Sequence, residues 1–106
     1  MLLINGQRQT LLNVQDRATQ FGDGCFTTAR ILRGELQFSA DHIARLQQGC
    51  RALLIDNVDW HALQQEIAVL CAQHDNGVLK AVISRGVGGR GYSPDGAAAA
   101  TRILSV

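Results

Sequence analysis

Phe21-Gly22-Asp23-Gly24-Cys25-Phe26-Thr27-Thr28-Ala29-Arg30 is the segment around which the rest of the chain is arranged, because two glycines bracket an acidic residue and a β-like segment follows at once. From Cys25 to Leu32, β-branched and aromatic residues predict a strand. Side chains alternate between the faces of a strand, so Phe26, Thr28 and Arg30 share one face, which we expect to line a cleft. The opposite face, with the smaller and more apolar side chains, is expected to meet the core: Cys25, Thr27, Ala29 and Ile31.

The composition is that of one ordinary globular domain. The 106 residues suffice for a core, and the net charge is only +1, from ten basic and nine acidic residues spread along the chain. With few aromatic residues as well, this balance argues against nucleic acid as a partner. No run approaches the roughly 18 apolar residues of a membrane span, so we expect a cytoplasmic protein.

The remaining strands are marked by apolar runs and turn residues. Asn5-Gly6 supplies the two positive-φ positions of a type I′ turn, so the chain is expected to open with a hairpin. Residues 13 to 23 have no clear period and are interpreted as a surface connection. Arg33-Gly34 is predicted to form the turn between the strand that ends at Leu32 and the next strand. Further strands are predicted at residues 35–38, 78–84 and 101–106.

Two amphipathic helices separate these strands. Ser39 can cap the first, on which apolar residues repeat at helical spacing from Ile43 to Leu54. Asp59 can cap the second, and Asn76-Gly77 is expected to end it. Strands and helices together predict an α+β chain in which two helices pack in sequence.

The glycine-rich loop after the strand at 78–84 is a candidate binding element. Gly86-Val87-Gly88-Gly89-Arg90-Gly91 matches the pattern G-x-G-x-x-G, but neither a helix nor the required acidic residue follows, which disfavours a dinucleotide site. A loop that lines a substrate site is the better interpretation. Arg85, Arg90 and Tyr92 could bind carboxylates there, or could stand in solvent at the loop tip.

Neither the cysteines nor the histidines form a convincing reactive group. Cys25 and His42 could act as nucleophile and base, but no pattern brings them together, and a cysteine on the inward face of a strand is usually inert. His42 is more simply a helix-start residue that bonds locally. Cys50 and Cys71 fall on helical apolar stripes and are expected to be small buried hydrophobes. Without a Cys-x-x-Cys pair or a shared histidine spacing, neither a disulfide nor a metal site is predicted.

Two further cationic side chains, those of Arg45 and Lys80, have more than one possible role. Arg45 lies three residues after His42 in the first turns of a helix, where it could bind a phosphate or pair with Asp41. Lys80 is the one lysine of the chain and hence the obvious residue to bind a carbonyl cofactor. It lies in mid-strand among apolar neighbours, however, so we do not expect it to be catalytic.

Several stretches together resemble a known family, the class IV pyridoxal-phosphate enzymes, which include branched-chain and D-amino acid aminotransferases and aminodeoxychorismate lyases. Gly22-Asp23-Gly24 and His42-Ile43-Ala44-Arg45-Leu46 are general to the class. The Cys25–Arg30 segment and Gly88-Gly89-Arg90-Gly91-Tyr92 resemble the lyases in particular. The resemblance implies the small N-terminal domain of this fold, a mostly antiparallel sheet packed with two helices.

The resemblance also implies roles for individual residues. Arg45 would hold the phosphate of pyridoxal 5′-phosphate, and Thr28 would offer a catalytic hydroxyl beside the cofactor. Phe26 and Arg30 would line the substrate site. Two loop residues would reach the site of the neighbouring subunit in a homodimer and bind the substrate there: Arg90 and Tyr92.

The implied activity is that of a carbon–oxygen lyase, which converts 4-amino-4-deoxychorismate into 4-aminobenzoate and pyruvate in folate biosynthesis. The Schiff-base lysine of the family and its partner glutamate belong to a larger C-terminal domain, which nothing in residues 1–106 matches. The segment alone is therefore expected to be inactive. Two alternatives stay open: a class IV aminotransferase of the branched-chain or D-amino acid type, and an isolated non-catalytic folding or association domain.

Overall fold

A computed structural model describes residues 1–88 and 99–106 of the chain. Within these ranges the elements are β1 (Leu2–Ile4), β2 (Gln7–Arg8), α1 (Arg17–Phe21), β3 (Gly24–Leu32), β4 (Glu35–Leu36), α2 (Ser39–Leu53), α3 (Trp60–Ala72), β5 (Asn76–Ser84) and β6 (Thr101–Ser105). The strands form a single antiparallel sheet in the order β2-β1-β6-β5-β3-β4. This confirms the predicted α+β fold with its antiparallel sheet.

The core lies between one face of the sheet and the two longer helices. Apolar side chains repeat at helical spacing on α2 and α3, so each helix buries a stripe against the strands. Burying one such leucine or isoleucine is worth roughly 1.5–3 kcal/mol. The fully buried members of this core include Ile31, Leu46, Leu63, Leu70, Leu79, Ile83 and Leu104.

Strand β3 has the two-faced character that its sequence predicts. Thr27, Ala29 and Ile31 are buried, whereas Phe26, Thr28 and Arg30 are exposed. The strand pairs with β5 over its whole length, from Gly24 opposite Ser84 to Leu32 opposite Asn76. Such a long pairing fixes the register, because a slip of one residue would bring Arg30 into the core.

The sheet also joins the two ends of the 106 residues. β1 pairs with β6, so that Leu3 lies opposite Leu104. The backbone N–H of Val106 donates to the carbonyl of Met1 at 3.0 Å. Both predicted two-residue turns are confirmed, since Asn5-Gly6 and Arg33-Gly34 all have positive φ.

The boundaries of α2 and α3 differ from the prediction in two places. Ser39 is the first helical residue and not the cap, because Phe38 adopts a left-handed conformation before it and provides no side-chain bond. That turn also ends β4 at Leu36. Asp59 does cap α3, accepting from the N–H of Ala62 at 3.0 Å. The helix stops at Ala72, and Asn76-Gly77 belongs instead to β5, where it pairs with the end of β3.

Residues 13–23 are more ordered than the predicted surface connection. They contain the short helix α1, capped by Asp16, whose side chain accepts from the N–H of Ala18. Asp16 and Arg17 are both buried. The described residues include no helix that is at once long and apolar enough to cross a membrane.

The two glycines around Asp23 serve different purposes. Gly22 ends α1 in the left-handed conformation, at φ 66°, with open space where a Cβ would stand. Residue 24 must be a glycine because there is no space for a side chain: a Cβ there would lie 2.6 Å from the backbone carbonyl oxygen of Ile83. A side chain at residue 24 would thus push β3 away from β5.

We expect Gly24→Ala to lower the free energy of unfolding by at least about 2 kcal/mol, since the clash is with backbone that cannot rotate away. Gly22→Asn is the matched control. Asparagine tolerates the left-handed conformation, so its cost should stay below about 1 kcal/mol. Urea denaturation followed by circular dichroism measures both. Equal losses in the two variants would contradict the role assigned to Gly24.

Candidate functional site

The face of the sheet turned away from the helices carries the candidate site. We call it the open face and define it by six side chains of β3 and β5. Phe26 is 60% exposed and Val78 is 58% exposed, unusually high values for large apolar residues in the middle of a sheet. The members of the open face are Phe26, Thr28, Arg30, Val78, Lys80 and Val82.

Strand register brings the predicted site residues of β3 together on this face. Thr28 stands between Phe26 and Arg30, two residues from each, and all three are exposed. An aromatic ring, a hydroxyl and a guanidinium are therefore presented side by side. Such a combination can bind a ring that carries a carboxylate, with the hydroxyl near the bound atoms.

Lys80 belongs to the same face, which the sequence did not indicate. It lies directly opposite Thr28, and its Nζ is 4.9 Å from the centroid of the Phe26 ring. The apolar neighbours Leu79 and Ala81 point the other way, into the core. Period-two alternation along β5 could have shown this, had the strand been paired with β3.

Arg45 is exposed on α2, the helix that packs against the buried side of β3. Within the described ranges, no carboxylate lies within ion-pair distance of its guanidinium, so the expected alternative of an ion pair with Asp41 is not formed. The guanidinium is available for an anion. Arg45 does not belong to the open face itself.

His42 links α2 to β3 and does not bond locally as predicted. Its Nδ1 lies 2.7 Å from the hydroxyl oxygen of Thr27, and the two atoms share a hydrogen bond. Thr27 is buried, so this contact satisfies its hydroxyl inside the domain. It also fixes the first turns of α2, and with them Arg45, relative to the strand.

Asp23 is the centre of a charged cluster at the start of β3. Its Oδ2 accepts from Nε of Arg17 at 2.9 Å and from Nε of Arg85 at 2.7 Å. Arg85 also donates to the carbonyls of Leu53 and Leu54 at the end of α2. Arg85 thus binds a carboxylate, but the carboxylate belongs to Asp23 of the same domain and not to a substrate, and its guanidinium does not stand in solvent at a loop tip.

A second cluster joins α1 to the end of β5. The hydroxyl of Ser84 donates to Oδ1 of Asp16 and accepts from the N–H groups of Ala18 and Gly86. Oδ2 of Asp16 has no hydrogen-bond partner in the part of the chain that the structure describes. No local sequence pattern indicates this cluster, because Asp16 and Ser84 are 68 residues apart.

The cysteines are packing residues. Sγ of Cys25 lies 3.8 Å from Sγ of Cys50 and donates to the carbonyl of Leu46. Burial raises the pKa of Cys25, and chiefly burial raises the pKa of Cys50 to about 12. Neither is therefore a thiolate near neutral pH. Cys50 and Cys71 are buried, which confirms their assignment as small hydrophobes.

Two predicted site residues, Arg90 and Tyr92, lie outside the described residues. Among residues 1–88 and 99–106, no three histidine, cysteine, aspartate or glutamate side chains come together in a group that could hold a metal ion.

The charges around Asp23 determine how the fold responds to acid. Burial by itself would raise the pKa of this carboxyl, but the hydrogen bonds and positive charges of Arg85 and Arg17 outweigh burial and lower the pKa. In the unfolded state the pKa of an aspartate is near 4, and in the folded state the pKa of Asp23 is lower. The ionised carboxylate therefore stabilises the fold at pH values above the unfolded-state pKa. This stabilisation is lost as the pH falls through the folded-state pKa.

We expect Asp23→Asn to reduce the free energy of unfolding at pH 7 by about 3 kcal/mol, because it leaves two largely buried guanidinium groups without their counter-charge. The variant should also lose less stability than the wild type on acidification below about pH 4. Urea titrations at stepwise lower pH measure both effects. Asp56→Asn, at an exposed site, is the control. If the wild type and Asp23→Asn lost the same free energy of unfolding on acidification, the role assigned to Asp23 would be contradicted.

Comparison with known proteins places this geometry in a family. The model of the family described as amino-transferase class IV matches residues 24–106. An aminodeoxychorismate lyase of Vibrio harveyi is 36% identical over 96 residues, which are 91% of this chain and 35% of that protein. The crystal structure of 4-amino-4-deoxychorismate lyase from Pseudomonas aeruginosa superposes with a TM-score of 0.92 at 40% identity, over 99% of this chain and 38% of that one.

A more distant neighbour shows how widely the fold occurs. The branched-chain amino acid aminotransferase of Escherichia coli has a TM-score of 0.73 at 15% identity, over 98% of this chain and 38% of that protein, a likeness of fold alone. The chain thus spans little more than a third of the length of these relatives. Because the family model covers β3 to β6, and with them the open face and Arg45, the chain belongs to the class IV aminotransferase family.

Proposed function

We propose that this chain is the N-terminal small domain of a pyridoxal-phosphate-dependent lyase that converts 4-amino-4-deoxychorismate into 4-aminobenzoate and pyruvate, a step of folate biosynthesis. The observation that carries the proposal is the open face of β3, where Phe26, Thr28 and Arg30 stand together and exposed. Support comes from the lyases of Vibrio harveyi and Pseudomonas aeruginosa, to which the chain is similar over nearly all of its length.

The residues present fit the phosphate of the proposed cofactor. Arg45 offers an exposed guanidinium with no carboxylate beside it among the described residues, and its helix is fixed to β3 through His42. A guanidinium binds phosphate through paired, charge-assisted hydrogen bonds. Pyridoxal phosphate, when bound, supplies an electron sink for the elimination.

The side chains of the open face would act on the substrate itself. Elimination breaks the bond between a ring carbon and the ether oxygen of the three-carbon group. That group leaves with the oxygen as enolpyruvate, which takes up a proton to become pyruvate, and the ring loses a proton as it becomes aromatic. Arg30 would bind a substrate carboxylate and so orient the breaking bond, while Phe26 would pack against the ring and exclude water. The hydroxyl of Thr28, between them, would hydrogen-bond to the reacting atoms.

The complete site requires parts beyond residues 1–106. We propose that a larger C-terminal domain carries the lysine that binds the cofactor, and that the segment alone is inactive. We further propose a homodimer in the cytoplasm, in which Arg90 and Tyr92 reach the substrate of the neighbouring subunit. The share of the relatives' length that the chain covers, 35% and 38%, supports the first of these proposals.

A class IV aminotransferase is the second candidate, and the breadth of the family favours it. Such an enzyme would convert the bound cofactor to its amine form on incubation with an amino acid alone. Absorbance spectra of the full-length protein with and without amino acids distinguish the two activities. Stable conversion to the amine form, without release of 4-aminobenzoate, would favour the aminotransferase. A non-catalytic module would bind no cofactor and show neither result.

We expect Arg45→Ala in the full-length protein to weaken pyridoxal phosphate binding by roughly 10- to 100-fold, the usual effect of losing a charged hydrogen bond. Titration followed by cofactor absorbance measures the affinity. Arg51→Ala is the matched control, since Arg51 is exposed on the same helix near its other end. Equal affinities in Arg45→Ala and wild type would contradict the phosphate assignment.

A further inference from the structure

We propose that a cavity between the β1–β2 hairpin and α3 binds a small aromatic carboxylate, at a site separate from the open face. We call it the hairpin cavity. Its volume is about 300 Å³, at the lower end of the usual range for ligand sites in proteins. Four apolar side chains and a single unpaired cation line it, with two amides at the rim. Binding there is independent of the proposed function.

The hairpin places the cation beside apolar surface. Arg8 of β2 lies opposite Leu3 of β1, so both side chains are on the same side of the sheet. That side faces the helices, because Leu3 packs in the core with Leu70 of α3. Arg8 is exposed, whereas Leu3 and Leu70 are buried, and all three line the hairpin cavity. A ligand in the cavity can therefore contact the guanidinium and the apolar surface together.

Arg8 has no carboxylate within ion-pair distance among the residues that the structure describes. The ion pairs found there engage Arg17, Arg85 and Arg102. Nη2 of Arg8 donates to Sδ of Met1 at 3.4 Å, and a thioether is a weak acceptor. A carboxylate would be a far better partner, because it accepts two charge-assisted hydrogen bonds from one guanidinium.

Glu66 also lines the hairpin cavity, but its charge is already balanced. Both of its carboxylate oxygens accept from Nε of Arg102, at 2.8 and 3.1 Å. The pair is largely shielded from water, since only 12% of the Glu66 side chain and 16% of the Arg102 side chain are exposed. The charge left on the side chains of the lining is that of Arg8. The cavity therefore favours an anion over a cation.

The walls of the hairpin cavity suit a flat apolar body. Met1 and Val69 are 39% and 60% exposed, although both are large apolar residues, and a bound ring would remove part of this surface from water. Gln65 and Gln73, four residues before and after Val69, offer amide groups at the rim. A rigid ring loses less conformational freedom on binding than a flexible chain. An aromatic monocarboxylate thus fits better than a fatty acid.

The test uses the full-length protein with benzoate as the probe. NMR spectra that resolve methyl groups report binding at Met1, Leu3, Val69 and Leu70. We expect benzoate to shift these signals with a Kd of about 1 mM, a usual affinity for so small a ligand. Benzamide has the same shape without the charge and should bind at least about 10-fold more weakly, because a charge-assisted hydrogen bond is lost.

Replacement of Arg8 tests the cation directly. Arg8→Gln should weaken benzoate binding at least about 10-fold and should leave benzamide binding unchanged. Arg51→Gln removes one positive charge from an exposed position of α2 outside the hairpin cavity, and it is the matched control. Circular dichroism shows whether each variant is folded.

A second pair of variants tests the charge of the cavity without changing Arg8. Val69→Lys and Val69→Glu place side chains of similar length and opposite charge at an exposed position of α3. Val69→Lys should bind benzoate at least about 10-fold more tightly than Val69→Glu, whereas benzamide should not distinguish the two. This pair decides the matter if Arg8→Gln does not fold.

Four results would each overturn the proposal. The first is an absence of shifts at benzoate concentrations about 20-fold above the expected Kd. The second is a set of shifts confined to open-face methyl groups, such as those of Val78 and Val82. The third is equal affinity for benzoate and benzamide, and the fourth is unchanged benzoate affinity in folded Arg8→Gln. None of these measurements requires lyase activity, so the failure of the proposed function would leave the test intact.

Discussion

The arrangement of the candidate site depends on the hydrogen bonds and ion pairs that the carboxylate of Asp23 makes with two arginines. One oxygen accepts hydrogen bonds from Arg17 of α1 and from Arg85, which follows β5. Arg85 also donates to carbonyl groups at the end of α2. Three elements are thus joined immediately before β3 begins. The contact is strong because the groups are largely removed from water, and costly to break for the same reason. Gly24, directly after this carboxylate, lets β3 approach β5 closely enough to pair with it, because a Cβ there would lie 2.6 Å from the carbonyl oxygen of Ile83.

The two faces of the sheet carry different kinds of side chain. Small and apolar side chains of β3 meet the helices, while its aromatic, hydroxyl and cationic side chains remain on the open face. Strand alternation makes this division automatic, since neighbouring residues point in opposite directions. Arg45 lies apart from the open face, on a helix held to the buried side of the same strand through Thr27 and His42.

Features with a local period could be predicted from sequence, and features that depend on distant residues could not. The two faces of β3, the long helices, the Asn5-Gly6 turn and the Asp59 cap follow from patterns within a few residues. The internal role of Arg85 and the contact of His42 with Thr27 depend on partners 15 to 62 residues away. The place of Lys80 on the open face likewise depends on the pairing of β5 with β3.

The pairing of β1 with β6 has a consequence for the order in which the domain forms. The strand at residues 2–4 gains its second neighbour from residues 103–105, so one hydrogen-bonded ladder closes a loop of about a hundred residues. Closing such a loop is entropically costly and slow compared with forming helices or hairpins. Until β6 is in place, β1 has only its hairpin partner β2 beside it. The ladder between β1 and β6 is therefore expected to be among the last parts of the sheet to form.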